Sequence, residues 1–222
     1  MKNTFDRAVS GTMAVAAILV ALTFVYKTFD ERDPDISRDV EYVDGWEEVI
    51  ADAHLVAGKP DAPIAILVFT DFECPACRGF HSIIDELMLE GQPISVYYAH
   101  SPLDYHRFAL PAAKAAECAA GQAQFVAWAD VVFAKQDSLG LKSWESFAIE
   151  AGIDNPLAIQ HCATDPTPVA KIDRTTDFAR QSGSRGTPAV HISGWRYSPP
   201  PSVDEIKAAI GVLLAGDIPT RD

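Results

Sequence analysis

The chain has 222 residues, of which 48% are hydrophobic, and carries a formal net charge of −13. This length allows one domain of roughly 100 to 200 residues plus an appendage, with enough apolar side chains for a packed core. So negative a chain repels the phosphate backbone of nucleic acids, and nucleic-acid binding is therefore excluded as an expected function.

An apolar stretch near the N-terminus runs from Ala8 to Tyr26. As a helix it would reach about 28 Å, close to the hydrocarbon thickness of a bilayer. Lys2 and Arg7 precede it and acidic residues follow it, so the positive-inside rule predicts an exported body. We predict that residues 1–27 form a single-pass anchor in the inner (cytoplasmic) membrane. A cleaved signal peptide is the alternative, although no small-residue cleavage site follows the run.

Residues 28–53 are expected to connect this anchor to the folded domain, which we place at 54–217. Glu31 to Gly45 has six acidic and two basic residues and reads as a tether. Trp46 to Ala53 has the pattern of a short lead-in helix, and His54 to Ala57 that of an edge strand.

A strand–helix–strand pattern comes next. Ile64 to Thr70 is an uninterrupted apolar run, typical of a strand buried on both faces. A second core strand is predicted at Ile94 to Ala99. Short connections between these strands predict a parallel βαβ unit. The helix between them is marked by one apolar stripe, Phe80, Ile83, Ile84, Leu87 and Met88.

Residues of about 104–183 are predicted to be helical throughout and to form a subdomain inserted in an α/β fold. Strands return at Ala189 to Ser193 and at 196–198. Ser202 and Glu205 form a capping box for a final helix. Within the inserted block, the predicted helices lie near 105–120, 125–132, 144–151, 156–162 and 168–182.

The predicted strand Ile64 to Thr70 leads into a C-x-x-C motif, Cys74-Pro75-Ala76-Cys77, which opens the following helix. Unpaired N–H groups and the positive end of the helix dipole stabilise a thiolate at that position. Pro75 fits the first helical turn, where its missing N–H costs nothing. The second sulfur, one turn on, can attack a mixed disulfide held on the first. The motif therefore predicts dithiol–disulfide chemistry, with no cofactor.

Zinc sites also use C-x-x-C, but they need two further ligands at suitable spacing. The remaining cysteines, Cys118 and Cys162, are 44 residues apart and form no second motif. His81 follows the motif by four residues, and we expect it to be packed or solvated rather than a ligand. His100 and His106 are likewise expected to be packing or surface residues. No metal site is predicted.

The dipeptide Thr187-Pro188 directly precedes the predicted strand Ala189 to Ser193. A cis peptide bond there, close to the thiols, would leave the backbone of Thr187 free to bind an extended substrate chain as an added strand. An ordinary trans turn that opens the strand is the alternative.

Taken together, these motifs resemble the DsbA-type thioredoxin-fold proteins of bacteria, over about residues 55 to 215. This resemblance implies a thioredoxin fold with an inserted helical domain and an exported thiol–disulfide oxidoreductase. It also implies that Cys74 is the exposed nucleophile, Cys77 the resolving thiol and Pro188 the cis-proline. The resemblance is carried by residues 69–81, by His100-x-Pro102-Leu103, by the alanine-rich run 112–119 and by Gly186-Thr187-Pro188.

We expect Pro75, Ala76 and Glu73 to tune the redox couple. Ala76 departs from the family pattern, because strongly oxidising members often carry histidine there, and alanine cannot donate a hydrogen bond to the thiolate. Glu73 and Asp71 add negative charge, which opposes a very low thiol pKa. Alternatively, both acids lie at a solvated strand end.

Cys118 and Cys162 fall in the helical block, and the resemblance suggests that they form a structural disulfide. A second redox relay and two free buried thiols are the other interpretations. The resemblance further implies a membrane partner, DsbB-like and quinone-linked, that reoxidises the motif cysteines.

The predicted function is disulfide formation in exported proteins through Cys74 and Cys77, whose partners would be protein thiols. A reductase or isomerase using the same cysteines is the first alternative. A non-catalytic chaperone that holds extended peptides beside Pro188 is the second.

Overall fold

The computed structural model of the protein describes residues 39–219. The strands are β1 Asp39–Tyr42, β2 His54–Gly58, β3 Ile64–Thr70, β4 Ile94–His100, β5 Ala189–Ile192 and β6 Trp195–Ser198. The helices are α1 Trp46–Ile50, α2 Pro75–Leu89, α3 Ala109–Ala120, α4 Phe125–Ala134, α5 Trp144–Glu150, α6 Pro156–Thr164, α7 Ala170–Gln181 and α8 Val203–Leu214. A 3-10 turn, Gln136–Ser138, follows α4.

These strands form one sheet in the order β1-β6-β5-β3-β4-β2. β3 and β4 pair in parallel and are joined by α2, which confirms the predicted βαβ unit. The other neighbouring strands pair antiparallel. β2 lies at the edge of the sheet, as predicted. The result is the predicted α/β arrangement of a thioredoxin-like sheet with helices inserted after β4.

Helices cover both faces of the sheet, and the alternation along β3 shows how. Ile66 and Val68 belong to a large core cluster with α2, α8 and the inserted helices, whereas Leu67 and Phe69 belong to a cluster on the opposite face. All four side chains are at most 1% exposed. Because neither face of β3 meets solvent, its sequence shows no polar alternation.

The segment Asp39–Tyr42, which the sequence analysis assigned to the tether, is a strand. It pairs antiparallel with β6, with Val40 opposite Tyr197 and Tyr42 opposite Trp195. The tether prediction is therefore wrong for these residues. Val40 and Tyr42 alternate with two acidic residues, and the high average polarity of the segment hid this period of two.

The predicted anchor, residues 1–27, lies outside the described residues. Among residues 39–219, none of the helices combines the length and the apolar character needed to cross a bilayer.

The last helix of the predicted insertion, α7, packs on the sheet. Phe178 and Ala179 contact the cluster around Phe69, and the Thr175 hydroxyl donates a hydrogen bond to the His100 carbonyl at 2.7 Å. The insertion proper therefore spans α3 to α6, and the predicted boundary at residue 183 is too late. An apolar stripe shows that one face of a helix is buried, but it does not show which surface buries it.

A disulfide between Cys118 and Cys162 joins α3 to α6, with the two Cα atoms 6.4 Å apart. The bridge suggested by the family resemblance is therefore present, and the interpretation as two free thiols is wrong. Both cysteines lie away from the C-x-x-C motif in sequence, on helices that pack against each other. The bridge closes a loop of 44 residues.

Replacing both cysteines of this bridge in Cys118→Ala/Cys162→Ala should lower the free energy of unfolding by about 2–4 kcal/mol, because the unfolded chain regains the entropy of the open loop. Urea unfolding under oxidising conditions measures this loss. The matched control, Cys74→Ala/Cys77→Ala, also removes two cysteines but leaves this bridge closed. A loss below about 1 kcal/mol would contradict a structural role.

Candidate active site

Cys74 occupies the N-cap position of α2, where the extended chain of β3 turns into the helix. Its backbone is extended, with φ −75° and ψ 120°, and Pro75 is the first helical residue. The Cys74 carbonyl accepts hydrogen bonds from the backbone N–H groups of Cys77 at 3.1 Å and Arg78 at 3.2 Å. The motif is thus at the helix N-terminus, as the sequence analysis predicted.

Thr187 and Pro188 lie directly beside the first thiol. The Sγ of Cys74 is 3.3 Å from the Thr187 carbonyl oxygen, so the thiol can donate to it. The Thr187–Pro188 peptide bond is cis, and it leads into β5, which pairs with β3. This strand pairing brings together residues that are 113 positions apart in the chain.

The two thiols have different surroundings. Both are free thiols in this structure, and Cys77 is more deeply enclosed, 2% exposed against 7% for Cys74. The backbone N–H of Asp71 donates to the Cys77 sulfur at 3.4 Å. Cys74 is therefore the sulfur that a macromolecular substrate can reach first.

These surroundings separate the acidities of the two thiols. The pKa of Cys74 is lowered to about 5, chiefly by a hydrogen bond from the Cys77 side chain, and further by the Thr187 side chain and the backbone N–H groups of Cys77 and Ala76. Burial opposes this shift. The pKa of Cys77 is raised well above its usual range, first by burial and then by its interactions with the Cys74 sulfur. At neutral pH the pair is one thiolate and one thiol.

The carboxylate of Asp71 is fully buried and accepts three hydrogen bonds. The donors are the backbone N–H of Glu73 at 2.8 Å, the backbone N–H of Leu103 at 2.9 Å and Nδ1 of His106 at 2.8 Å. The interpretation of Asp71 as a solvated strand-end residue is therefore wrong. Its carboxylate ties the loop before Cys74 to the segment that enters the insertion.

Glu73 makes a similar connection, because its carboxylate accepts a hydrogen bond from the backbone N–H of Phe108. A carboxylate held in this way is fixed relative to the helix N-terminus. Its predicted influence on the redox couple stays a prediction.

Gln136, which the sequence analysis did not single out, fixes the motif loop from the other side. Its side-chain amide donates to the carbonyls of Phe72 and Cys74, at 2.9 Å each, and the residue is 6% exposed. The residue lies on the 3-10 turn of the insertion. A glutamine between two charged residues carries no signal of such a role, since only the folded chain brings it to the loop.

The histidine closest to the motif along the chain, His81, is packed and hydrogen-bonded. Its Nδ1 lies 2.9 Å from the Tyr98 hydroxyl and its Nε2 lies 3.2 Å from Asp130, while its ring contacts Phe133. The interpretation as a packing residue is confirmed. His106 also has a positional role, through Asp71.

A groove of about 240 Å³ opens beside the C-x-x-C motif. Its lining includes Ala76 of the motif, the cis-proline loop, Arg185 and Arg196. A second cis bond, Ser198–Pro199, follows β6, and Ser198 and Pro200 also line this groove. Such a shape can receive a chain segment next to the Cys74 sulfur.

Comparison with known proteins gives relatives of two kinds. The Na⁺/H⁺ antiporter NhaA 3 of Salinispora tropica is 31% identical over 169 residues, which cover 76% of this chain and 26% of the antiporter. The chain thus spans about a quarter of the length of the curated relatives that it matches. Oxidised BdbD from Bacillus subtilis superposes with a TM-score of 0.65 at 20% identity, covering 75% of this chain and 95% of that one. Wolbachia pipientis alpha-DsbA1 gives a TM-score of 0.61 at 21% identity, covering 74% and 92%.

This chain therefore shares the fold of these two solved structures. The sequence profile of the family described as Thioredoxin matches residues 51–211. The chain therefore belongs to the thioredoxin family.

We predict that thiolate absorbance of the reduced protein titrates with a midpoint near pH 5, the pKa of Cys74. In Cys77→Ala the midpoint should rise, because the thiol whose hydrogen bond most lowers that pKa is removed. Absorbance at 240 nm against pH measures both values. The control Cys74→Ser should lose this titration. A titration near pH 5 that persists in Cys74→Ser, or a midpoint that does not change when Cys77 is replaced, would contradict the assignment.

The same shift has a consequence for stability. The folded pKa of Cys74 lies below the unfolded thiol value of about 8.5, so the unfolded chain binds more protons between these values. The stability of the reduced protein relative to Cys74→Ser should therefore rise from about pH 5 to pH 8 and be lost as pH falls through 5.

Proposed function

We propose that the protein catalyses disulfide formation in exported proteins through Cys74 and Cys77. The observation that carries this proposal is the lowered pKa of Cys74, about 5. A stabilised thiolate stabilises the reduced form of the couple, and a couple with a stable reduced form is a good oxidant when it is disulfide-bonded.

In the first step, a substrate thiolate attacks the Sγ of Cys74 in the Cys74–Cys77 disulfide. The bond between the two enzyme sulfurs breaks, a substrate–Cys74 bond forms, and Cys77 leaves with the electron pair. The pKa of Cys77 lies well above its usual range, so this leaving sulfur takes up a proton. The product is a mixed disulfide on Cys74 and a buried thiol at Cys77.

In the second step, another thiolate of the substrate attacks the substrate sulfur that is bonded to Cys74. Cys74 then leaves as the thiolate, which is a good leaving group because its pKa is low. The substrate has been oxidised by two electrons and the enzyme dithiol has been reduced. A membrane oxidant, DsbB-like and quinone-linked, would return the enzyme to the disulfide form.

The cis-proline loop is the proposed substrate-binding element. The Thr187 carbonyl faces the Cys74 sulfur at 3.3 Å, so a chain that reacts at Cys74 passes along this loop. The backbone of Thr187 would bind the substrate as an added strand, and Pro188 would line the groove.

Ala76 favours a second candidate, a reductase or isomerase with the same cysteines. Alanine between Pro75 and Cys77 offers no side-chain donor to the Cys74 thiolate, which leaves the reduced form less stabilised than a histidine there would. The reduction potential of the couple separates the two directions of reaction.

The test combines that potential with cysteine variants. Titration against glutathione buffers should give a reduction potential above (less negative than) about −200 mV, whereas a value near −270 mV would favour the reductase. Cys74→Ala should abolish oxidation of a reduced model substrate, and Cys77→Ala should accumulate mixed disulfides that are visible on non-reducing gels.

Cys118→Ala/Cys162→Ala is the matched control, and it should retain the activity per folded molecule. Full activity in Cys74→Ala would contradict the assignment of the nucleophile. Peptide binding that survives the loss of both motif cysteines, without any exchange activity, would favour the chaperone.

We also propose that residues 1–27 anchor the protein in the inner membrane and leave the catalytic domain on the periplasmic side. The apolar run from Ala8 to Tyr26 and the flanking charges support this location. Disulfide formation belongs to that oxidising side of the membrane, where a quinone-linked partner would also be within reach.

The anchor is tested by fractionation of cells that express the full-length chain. The protein should stay in the membrane fraction after carbonate extraction, and Leu19→Arg should release it or abolish its export, because a charge at the centre of the span is costly. Leu19→Ile is the matched control and should behave like the native chain. A shortened, soluble mature protein found by mass spectrometry would show a cleaved signal peptide instead.

A further inference from the structure

Three side chains of the types that coordinate metal ions form a cluster outside the redox centre. It comprises His54 on β2, His100 at the end of β4 and Glu117 on α3, and their ligand atoms all lie within 4.8 Å of one another. Nothing in the proposed chemistry of the cysteines uses these residues.

Both imidazoles direct the same ring atom at the same carboxylate oxygen. The Nε2 of His54 is 2.6 Å from Oε1 of Glu117, and the Nε2 of His100 is 2.8 Å from it. The His100 side chain is 1% exposed, while those of His54 and Glu117 are each 14% exposed. The cluster is therefore largely enclosed, with an opening to solvent on the side of His54 and Glu117.

The elements that carry these side chains are fixed by packing. β2 pairs with β4, so that His54 lies opposite Tyr98, two residues before His100. Phe125 stacks on the His54 ring with centroids 4.0 Å apart. Glu117 precedes Cys118, whose disulfide holds α3 to α6. Ligands on strands and on a cross-linked helix are positioned before an ion arrives.

We propose that His54, His100 and Glu117 bind one divalent transition-metal ion, for which Zn²⁺ fits best. Two imidazole nitrogens and one carboxylate oxygen are a common zinc donor set, and a water molecule would complete the tetrahedron. Imidazole also suits copper and nickel, whereas a site for Mg²⁺ or Ca²⁺ would need oxygen ligands.

Binding requires the three ligand atoms to adopt tetrahedral spacing around the ion. Zinc bonds of about 2.0–2.1 Å separate tetrahedral ligand atoms by about 3.3 Å. Oε1 of Glu117, now 2.6 Å from the His54 nitrogen and 2.8 Å from the His100 nitrogen, must therefore withdraw by roughly 0.5–0.7 Å. Each imidazole carries its hydrogen on Nε2 while it donates to Glu117. On binding, that hydrogen moves to Nδ1 through exchange with water, and the Nε2 lone pair binds the ion.

Lys171 provides a signature that separates this site from a hydrogen-bonded network alone. Its Nζ lies 3.2 Å from Oε2 of Glu117, the oxygen that does not face the histidines, and its side chain is 30% exposed. A cation in that position repels a bound metal ion. Lys171→Met should therefore strengthen zinc binding, whereas a network without metal affinity gains nothing from this change.

Calorimetric titration of Zn²⁺ tests the proposal. The full-length, tag-free protein is solubilised in detergent and stripped of metal with a chelator. It is oxidised, so that Cys74 and Cys77 form a disulfide and cannot bind the ion. We expect one ion per chain, binding at least tenfold weaker in His54→Gln and Glu117→Gln, and binding several-fold tighter in Lys171→Met. His81→Gln is the matched control and should bind as the native protein does, because His81 pairs with Asp130 but belongs to no such three-residue cluster among residues 39–219.

Saturable binding that is unchanged in His54→Gln would overturn the proposal, as would the absence of saturable binding up to 100 micromolar zinc. Circular dichroism establishes that each variant is folded. Because Glu117→Gln removes an acceptor that three side chains share, His54→Gln, on the partly exposed edge strand, decides the outcome if Glu117→Gln does not fold. Disulfide-exchange activity is a separate measurement, so the failure of one proposal leaves the other standing.

Discussion

The antiparallel pairing of β3 with β5 is the contact on which the arrangement of the site depends. β3 delivers the chain to Cys74, β5 begins immediately after Pro188, and their register sets the Cys74 sulfur 3.3 Å from the Thr187 carbonyl. The helix N-terminus, the thiolate and the proposed substrate loop therefore meet where the two central strands β3 and β5 adjoin the motif. If β3 and β5 slipped by one residue, every side chain on β5 would change face, and the two parts of the site would separate.

Three polar side chains then hold the loop that carries the nucleophile. Asp71 and Glu73 accept hydrogen bonds from backbone N–H groups of the segment before α3. Gln136, which follows α4, donates to the carbonyls of Phe72 and Cys74. The insertion thus supports the motif as well as covering the core. A buried acceptor that loses its donor costs about 1–3 kcal/mol, so the loop and the insertion are expected to hold their relative positions firmly.

α3 connects the cluster of His54, His100 and Glu117 with the Cys118–Cys162 disulfide. Glu117 faces the histidines on the sheet, while its neighbour Cys118 is bridged to Cys162 on α6. One turn of helix therefore links the sheet edge to the interior of the insertion. The acidic composition of the chain is compatible with this arrangement, since the buried carboxylate of Asp71 accepts three hydrogen bonds and the half-buried carboxylate of Glu117 pairs with His54, His100 and Lys171.

The sequence by itself determined the parts that depend on local order. A run of seven apolar residues before Cys74 predicts a two-sided strand, and Pro75 predicts the start of the helix, because period and backbone geometry are local properties. Resemblance added the fold, the bridge and the cis bond. Only the tertiary structure decided that residues 39–42 form a strand, that α7 packs on the sheet, and that Gln136 holds the motif. It also decided which residues surround Glu117, because burial and hydrogen bonding between distant segments exist only once the chain is folded.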